Sequence, residues 1–197
     1  MATLPTMPDT VTANAARELS QSASPAFLYQ HTVRTYVWAC SFAALDGVEF
    51  DRELLYVGSL LHDLGLTAGF DGPRCFENEG AAAAASFVLE RGWEPLRAER
   101  LAEAIRLHMH PRVVPEDGAE GYLLSEATSC DVRGHRFDEI DRDLAASVVA
   151  DHPWLEFGPR FVELFREQAA RKPGCLADLY LQRGWGERVI AAPHRGG

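Results

Sequence analysis

A histidine and an aspartate stand side by side, as His62 and Asp63, at the end of a strongly apolar segment. The leucine and valine side chains of residues 54–65 leave no wide polar face, which is typical of the buried central helix of a bundle. A carboxylate removed from water needs a cation or several hydrogen bonds to compensate its charge. A buried His-Asp pair therefore indicates a site for a divalent metal ion.

Three more polar residues, His31, His108 and Asp131, share helical faces with apolar neighbours. Taken alone, His31 is more simply explained as a core histidine whose nitrogens are satisfied by its surroundings. Asp131 is harder to explain in this way, because a buried aspartate without a cation is costly. Two imidazoles with one or two carboxylates are ordinary ligands of borderline divalent ions. We therefore expect one bound ion, zinc in the first place, with iron, manganese or nickel as alternatives.

Helical periodicity continues along most of the chain and predicts an all-α bundle that forms a single domain. Gly58 lies four residues before His62 and is expected to let a neighbouring helix approach closely, whereas Gly65 is expected to end the helix. Residues 1–20 are predicted to be an irregular N-terminal arm, residues 21–190 the bundle, and residues 191–197 a disordered tail. The predicted helices span about residues 27–45, 54–65, 77–91, 94–108, 120–133, 138–150 and 158–171.

Composition excludes several classes of partner. The formal net charge of −10 argues against binding to a nucleic-acid backbone. The N-terminus lacks a cationic start followed by an apolar core, and no apolar run approaches ~20 residues, so we expect a cytoplasmic protein with no membrane partner. The four cysteines form no Cys-x-x-Cys pair and are expected to be reduced thiols. A small-molecule substrate is the expected partner, and Trp154 and Trp185 are candidates for a homodimer contact.

The order of these residues resembles that of the HD-domain superfamily of metal-dependent hydrolases. The matching features are a histidine on an early helix, a His-Asp dipeptide after an apolar helix, and an aspartate in Ala-Thr-Ser-Cys-Asp-Val-Arg-Gly. The resemblance implies an HD-type helical bundle whose metal ion is held by His31, His62, Asp63 and Asp131. A branch with two iron ions needs additional ligands, for which the sequence offers only His108 and His110, so we expect one ion.

Within this superfamily the chain is similar to the cyanamide hydratase-like branch. The resemblance extends over residues 29–178 and includes His-Thr-Val-Arg from position 31, Arg-Cys-Phe-Glu-Asn-Glu-Gly-Ala from position 74 and Arg-Lys-Pro-Gly from position 171. It implies that a metal-bound hydroxide adds to a nitrile carbon, with cyanamide giving urea. His108 is then the candidate proton donor or additional ligand, and Asp63 is a candidate to share the proton relay.

Substrate contacts are predicted for Thr67, Glu77 and Arg34. Phosphodiesterase-type HD proteins resemble His-Asp-x-Gly-Lys, in which the lysine can pair with a phosphate; here the neutral residues Leu66 and Thr67 follow His62-Asp63-Leu64-Gly65, and no lysine stands there. Glu77 matches a charged position of the family, and it is equally explained as an acid at a helix N-terminus. Arg34 belongs to a set of arginines that could clamp a phosphate, together with Arg74, Arg106 and Arg133.

Two other functions stay open at this point. One is an HD-type phosphohydrolase that acts on a nucleotide or another phosphate ester and would need arginines in its pocket. The other is a degenerate HD fold that serves as a ligand-binding module, which the intact set of metal-binding residues disfavours.

Overall fold

The computed structural model describes residues 4–195, and the α-helices within this range enclose one buried apolar core. No strand is present between residues 4 and 195, so the predicted all-α fold is confirmed. Membrane crossing would need a longer and more apolar helix than any in this part of the chain. The helices are α1 (Val11–Ala23), α2 (Ala26–Asp46), α3 (Arg52–Leu61), α4 (Phe76–Leu89), α5 (Pro95–Leu107), α6 (Ala119–Arg133), α7 (Arg142–Asp151), α8 (Phe157–Arg171), α9 (Leu176–Gln182) and α10 (Trp185–Ile190).

Helices α2, α3, α5 and α6 surround the core, and α3 lies between its neighbours with every residue from Leu54 to Leu61 buried. Helix α3 begins at its N-cap Asp51, whose side chain accepts a hydrogen bond from the amide of Leu54 at 3.0 Å. It ends one residue before His62, and a short 3-10 turn at Leu64–Leu66 follows. The His-Asp pair therefore lies at the junction of a buried helix and a turn.

The two glycines of this segment allow close packing, as expected. A Cβ atom on Gly58 would lie 3.3 Å from a methyl group of Leu101 on α5. Gly65 meets α4 more tightly, because a Cβ atom there would overlap the carbonyl group of Phe76. Gly65 lies inside the 3-10 turn, after the end of α3, so its role is close contact with α4 more than helix termination.

The predicted boundaries of the bundle need correction at both ends. The predicted irregular arm, residues 1–20, contains most of α1, which Thr10 caps and which buries Ala13, Ala16 and Ser20 on one face. Alanine and serine at this spacing carry a weak hydrophobic signal, which explains the error. At the other end, Pro193–Arg195 forms a 3-10 turn packed on the bundle, in place of the expected disorder of residues 191–197. Residues 1–3 and 196–197 lie outside the described part of the chain.

A second apolar cluster joins α8, α9 and α10 to the core helices. Trp185 is 6% exposed and stacks on Phe165, with ring centroids 4.4 Å apart. The guanidinium group of Arg34 stacks on Trp154, with its central carbon 4.0 Å from the centroid of the tryptophan ring. Both tryptophans thus pack against other parts of the chain, and a homodimer contact through them stays a prediction.

Asp71 fixes the loop after the 3-10 turn to the C-terminal end of α8. Its carboxylate accepts hydrogen bonds from Gln168 at 3.2 Å and from Arg171 and Lys172. Partial burial alone would raise the pKa of Asp71, but these three donors outweigh it and lower the pKa to about 2.

Candidate metal centre

Three side chains that could hold a metal ion converge in the core between α2 and the end of α3. Helix α2 places His31, and the junction after α3 places His62 and Asp63. The Nε2 atoms of the two histidines are 3.2 Å apart, and Oδ2 of Asp63 lies 3.5 Å from His31 Nε2 and 3.2 Å from His62 Nε2. All three side chains are at most 2% exposed. The sequence prediction that these three residues meet is confirmed.

The other nitrogen of each imidazole has its own partner. His31 Nδ1 lies 2.7 Å from Oδ2 of Asp131, and His62 Nδ1 lies 2.8 Å from the carbonyl oxygen of Ser59. Both partners only accept hydrogen bonds, so each Nδ1 carries the proton and each neutral ring presents a lone pair at Nε2. Metal-ligating histidines are typically oriented by this kind of contact.

The carboxylate of Asp63 has no hydrogen-bond donor for either oxygen among residues 4–195, although both atoms are buried. Two imidazole lone pairs and a carboxylate that face one another repel unless a cation lies between them. Burial alone would raise the pKa of Asp63, whereas positive charge on the neighbouring histidines, His62 first, would lower it to about 2. The site is therefore built to hold positive charge.

The spacing of the three ligand atoms suits a first-row divalent ion. Metal–nitrogen distances of 2.0–2.1 Å in tetrahedral geometry place neighbouring ligand atoms about 3.3 Å apart. The three separations of 3.2, 3.2 and 3.5 Å agree with this spacing without movement of the backbone. His31, His62 and Asp63 therefore fit a bound divalent metal ion.

Asp131, expected as a fourth ligand, lies on the far side of the His31 ring. Its Oδ1 atom accepts from Trp38 Nε1 at 2.6 Å and from Arg34 Nε at 3.0 Å. Its Oδ2 atom accepts from His31 Nδ1 at 2.7 Å and from Arg34 Nη2 at 2.8 Å. Each oxygen of Asp131 thus accepts two hydrogen bonds. In this arrangement Asp131 orients the ring of His31, and the prediction that Asp131 binds the metal directly is corrected.

The cation that Asp131 requires is supplied by Arg34, whose side chain is fully buried. Burial alone would raise the pKa of Asp131, but the charge of Arg34 and the hydrogen bond with His31 hold it far below its ordinary value. A bidentate contact of this kind is among the strongest side-chain hydrogen bonds. Arg34 also donates to the carbonyl oxygens of His152 and Pro153, both at 3.1 Å.

His108 caps α5 beside the three ligands, with its Nε2 atom 3.9 Å from Oδ1 of Asp63. Its Nδ1 atom faces the carbonyl oxygen of Ile105, so its Nε2 atom also presents a lone pair. Burial, helped by the neighbouring His62, lowers the pKa of His108 to about 3. A neutral imidazole in this state binds a metal or accepts a proton. His108 lies beside the group of His31, His62 and Asp63, whose ligand atoms are all within 4.8 Å of one another, but is not part of that group.

The metal-binding residues lie along one wall of a cavity of about 410 Å³. This volume is within the range of small-molecule sites, which is about 300–1,000 Å³. Besides the residues of the metal centre, the cavity is lined by Met109, His110, Pro111, Arg112, Val113, Ser125, Glu126, Thr128, Ser129, Val132, Arg133, His135, Phe161, Phe165, Tyr180 and Trp185.

Two arginines line this cavity without a carboxylate partner among residues 4–195. Arg112 and Arg133 are both exposed, and Arg133 donates to the hydroxyl group of Ser129 at 3.1 Å. The other described arginines that were considered for a phosphate clamp are engaged elsewhere: Arg74 and Arg106 pair with glutamates, and Arg34 with Asp131. The cavity therefore carries two cationic groups in a chain of strongly negative net charge.

The remaining predicted substrate contacts are wrong for this cavity, since Thr67, Glu77 and Arg34 are absent from its described lining. The hydroxyl group of Thr67 donates to the carbonyl oxygen of Leu64 at 2.7 Å and so stabilises the 3-10 turn. Glu77 is 3% exposed at the start of α4, where burial raises its pKa. Sequence reasoning missed the aromatic wall formed by α8–α10, because aromatic residues at helical spacing are typical of a hydrophobic core.

Comparison with known proteins agrees with the geometry. No curated protein matches the chain, whereas the family model described as HD domain matches residues 28–151, which is more than half of the chain. The match extends from the start of α2 to the end of α7 and includes every residue of the metal centre. The chain belongs to the HD-domain family, within a superfamily of metal-dependent hydrolases.

Proposed function

We propose that this protein is a metal-dependent hydrolase that acts on a small anionic ester, and that a phosphate ester with a flat apolar part is the best class of substrate. The observation that supports this proposal is the position of the metal centre on the wall of a cavity of about 410 Å³ that is also lined by Arg112 and Arg133. Zinc stays the first candidate for the ion, with manganese, iron and nickel as alternatives.

His31, His62 and Asp63 would hold the ion, and His108 would complete its protein ligands or accept a proton from the attacking water. A bound divalent ion supplies a Lewis acid that lowers the pKa of a coordinated water toward about 7. Asp131 and Ser59 keep the imidazoles of His31 and His62 in the tautomer that leaves Nε2 unprotonated. Burial of all these groups excludes bulk water from the side of the site that faces the core.

The cavity lining favours a substrate that combines negative charge with an apolar surface. Guanidinium groups bind phosphate and carboxylate oxygens through paired hydrogen bonds, and Arg112 and Arg133 have no carboxylate partner between residues 4 and 195 that would compete. Phe161, Tyr180 and Trp185 offer ring faces on which a planar group can pack.

Hydration of a nitrile such as cyanamide is the second candidate, and its support is the lack of a phosphate-pairing lysine after His62-Asp63-Leu64-Gly65, where Leu66 and Thr67 follow. Cyanamide is far smaller than the cavity and carries no charge for Arg112 and Arg133 to bind. The geometry therefore favours the anionic ester.

The test is a substrate panel on protein loaded with each metal in turn. We expect phosphate release from nucleoside or aryl monophosphates, and Arg112→Ala and Arg133→Ala should each raise KM about tenfold while metal content stays unchanged. Arg166→Ala is the matched control, because Arg166 pairs with Glu163 on the exposed face of α8.

Urea production from cyanamide without phosphate release would overturn the ester proposal in favour of the hydratase. Wild-type protein that binds none of the metals would overturn the metal centre itself. The double variant His62→Ala with Asp63→Ala should hold no metal, and retention of the ion by this variant would show that the ligands are elsewhere.

A further inference from the structure

The last turn of α6 leaves backbone carbonyl groups that the helix itself cannot satisfy. The amide of Gly134 donates to the carbonyl oxygen of Cys130 at 2.8 Å. The next two carbonyl groups receive side chains from the C-terminal end of the chain. His194 Nε2 lies 3.0 Å and Arg195 Nη1 lies 3.1 Å from the carbonyl oxygen of Asp131, and Arg195 Nη1 also donates to that of Val132 at 2.9 Å.

The 3-10 turn Pro193–Arg195, named here the C-terminal strap, is closely seated on the bundle. The ring of His194 packs against Phe137 and Trp154, with centroid distances of 4.9 and 5.2 Å. A Cβ atom on Gly134 would lie 2.7 Å from His194 Nδ1, and one on Gly158 would lie 3.2 Å from Arg195 Nη2. Glycine at both positions therefore lets the strap approach the backbone.

The strap holds the residue that orients the metal centre. The backbone carbonyl group of Asp131 accepts from the strap, and the carboxylate of the same residue accepts from His31 Nδ1. The ring of Trp154 links the backbone and side-chain contacts of Asp131. Arg34, which binds the Asp131 carboxylate, stacks on this ring at 4.0 Å, and His194, which contacts the Asp131 carbonyl group, packs against the same ring. A cation at the C-terminal end of α6 is also favourable for the helix dipole. The position of Asp131 is thus fixed from its backbone as well as from its side chain.

We propose that His194 and Arg195 are positioning residues of the metal centre, which act through Asp131 to fix the tautomer and direction of His31. Without the strap, the carbonyl groups of Asp131 and Val132 would be free to turn toward water. The carboxylate of Asp131 would then hold the ring of His31 less firmly. This inference rests on the metal binding proposed above, but not on the identity of the substrate.

The experiment compares Arg195→Ala and His194→Ala with wild type in the full chain. Loss of outer partners of metal ligands lowers metal affinity by about 10–100-fold. We expect about a tenfold loss of zinc affinity for Arg195→Ala and a smaller loss for His194→Ala, as measured by competition with a chelator. Arg188→Ala is the matched control, because Arg188 is an exposed arginine on α10 that donates to a backbone carbonyl group, that of Arg183, at 2.9 Å.

Nitrogen NMR of the histidine rings in metal-free protein gives a second readout that a merely structural role would not change. We expect wild type and Arg188→Ala to show His31 with a single Nδ1-protonated form, and Arg195→Ala to show exchange between forms. If Arg195→Ala fails to fold, His194→Ala and Arg195→Lys carry the same comparison, with partial rescue expected for lysine.

Zinc affinity and a His31 signal equal to those of wild type in both strap variants would overturn the inference. Equal losses in Arg195→Ala and Arg188→Ala would also overturn it, because they would reflect general destabilisation. If wild type binds no metal but the His31 signal changes in Arg195→Ala alone, the positioning role stands and the proposed function fails.

Discussion

Replacement of Asp131 by asparagine tests how the metal centre is oriented. All four groups that face the Asp131 carboxylate are donors, two of them from Arg34 and one each from Trp38 and His31. An amide has one oxygen and one NH₂ group, so in either orientation its NH₂ group meets two donors. If the NH₂ group faces His31, the ring is driven to the tautomer with its proton on Nε2, which removes the lone pair that would bind the ion.

The expected loss of stability in Asp131→Asn follows from the burial of its ion pair with Arg34. Arg34 and Asp131 are both fully buried, and removal of one partner of a buried ion pair costs about 3–5 kcal/mol. A chain of this length loses roughly 2–4 °C of melting temperature per kcal/mol, so Asp131→Asn should melt about 6–20 °C below wild type. Zinc affinity should fall by about 10–100-fold, because the partner of His31 is lost.

Thermal unfolding in excess chelator gives the stability change, and chelator competition gives the metal affinity. Trp38→Phe is the matched control, since it removes one donor to Oδ1 and leaves the Oδ2 contact with His31 intact. Trp38→Phe should lower the free energy of unfolding by about 1–2 kcal/mol and change the zinc affinity little. Asp131→Asn with wild-type zinc affinity and an unchanged His31 tautomer would refute the proposed orientation of the ring by Asp131.

Three further predictions concern the surroundings of the site. The free energy of unfolding of Gly65→Ala should be about 1–3 kcal/mol lower than that of wild type, because its Cβ atom would overlap a backbone carbonyl group. That of Gly58→Ala should stay within about 1 kcal/mol of wild type, as measured by urea unfolding. His108→Ala should weaken zinc binding by at least about tenfold in chelator competition, and intact binding with lost turnover would assign His108 to proton transfer instead. The pKa of Asp71 is lowered to about 2, so its contribution to stability is present above about pH 4 and lost as the pH falls toward 2. Asp71→Asn should therefore be destabilised relative to wild type at pH 7, with a deficit that shrinks as the pH falls through about 2, and a deficit that is the same at pH 7 and at pH 2 would contradict this reasoning.

The helical fold and the meeting of His31, His62 and Asp63 could be predicted because burial follows helical periodicity. An apolar segment with no polar face has to be central, and polar residues on such a segment have to face the interior. Helices α2, α3, α5 and α6 were all predicted, and the structure forms them within a few residues of the predicted bounds. Helix α1 buries only small side chains, such as Ala13, Ala16 and Ser20, and it was missed, as was the strap.

The surroundings of the ligands could not be predicted in the same way, since periodicity tells which way a side chain faces but not which atoms it meets. The cavity is an example: its wall combines the end of α5, one face of α6 and three C-terminal helices that are distant in sequence. Thr67 and Glu77 are next to the metal-binding residues in sequence or in family pattern, yet Thr67 donates to the 3-10 turn, Glu77 lies in the first turn of α4, and neither is part of the cavity lining.

The error over Asp131 follows from a correct premise. A buried aspartate does need a cation, and Arg34, three residues after His31 on the same face of α2, was available to supply it. The consequence is chemical, because the charge of Asp131 is neutralised within the protein and only Asp63 contributes negative charge to the metal centre. A divalent ion held by two neutral imidazoles and a single carboxylate keeps one formal positive charge, whereas two carboxylates would cancel it. The ion would then polarise a bound water more strongly, which suits a hydrolase better than the four-ligand site expected from the sequence.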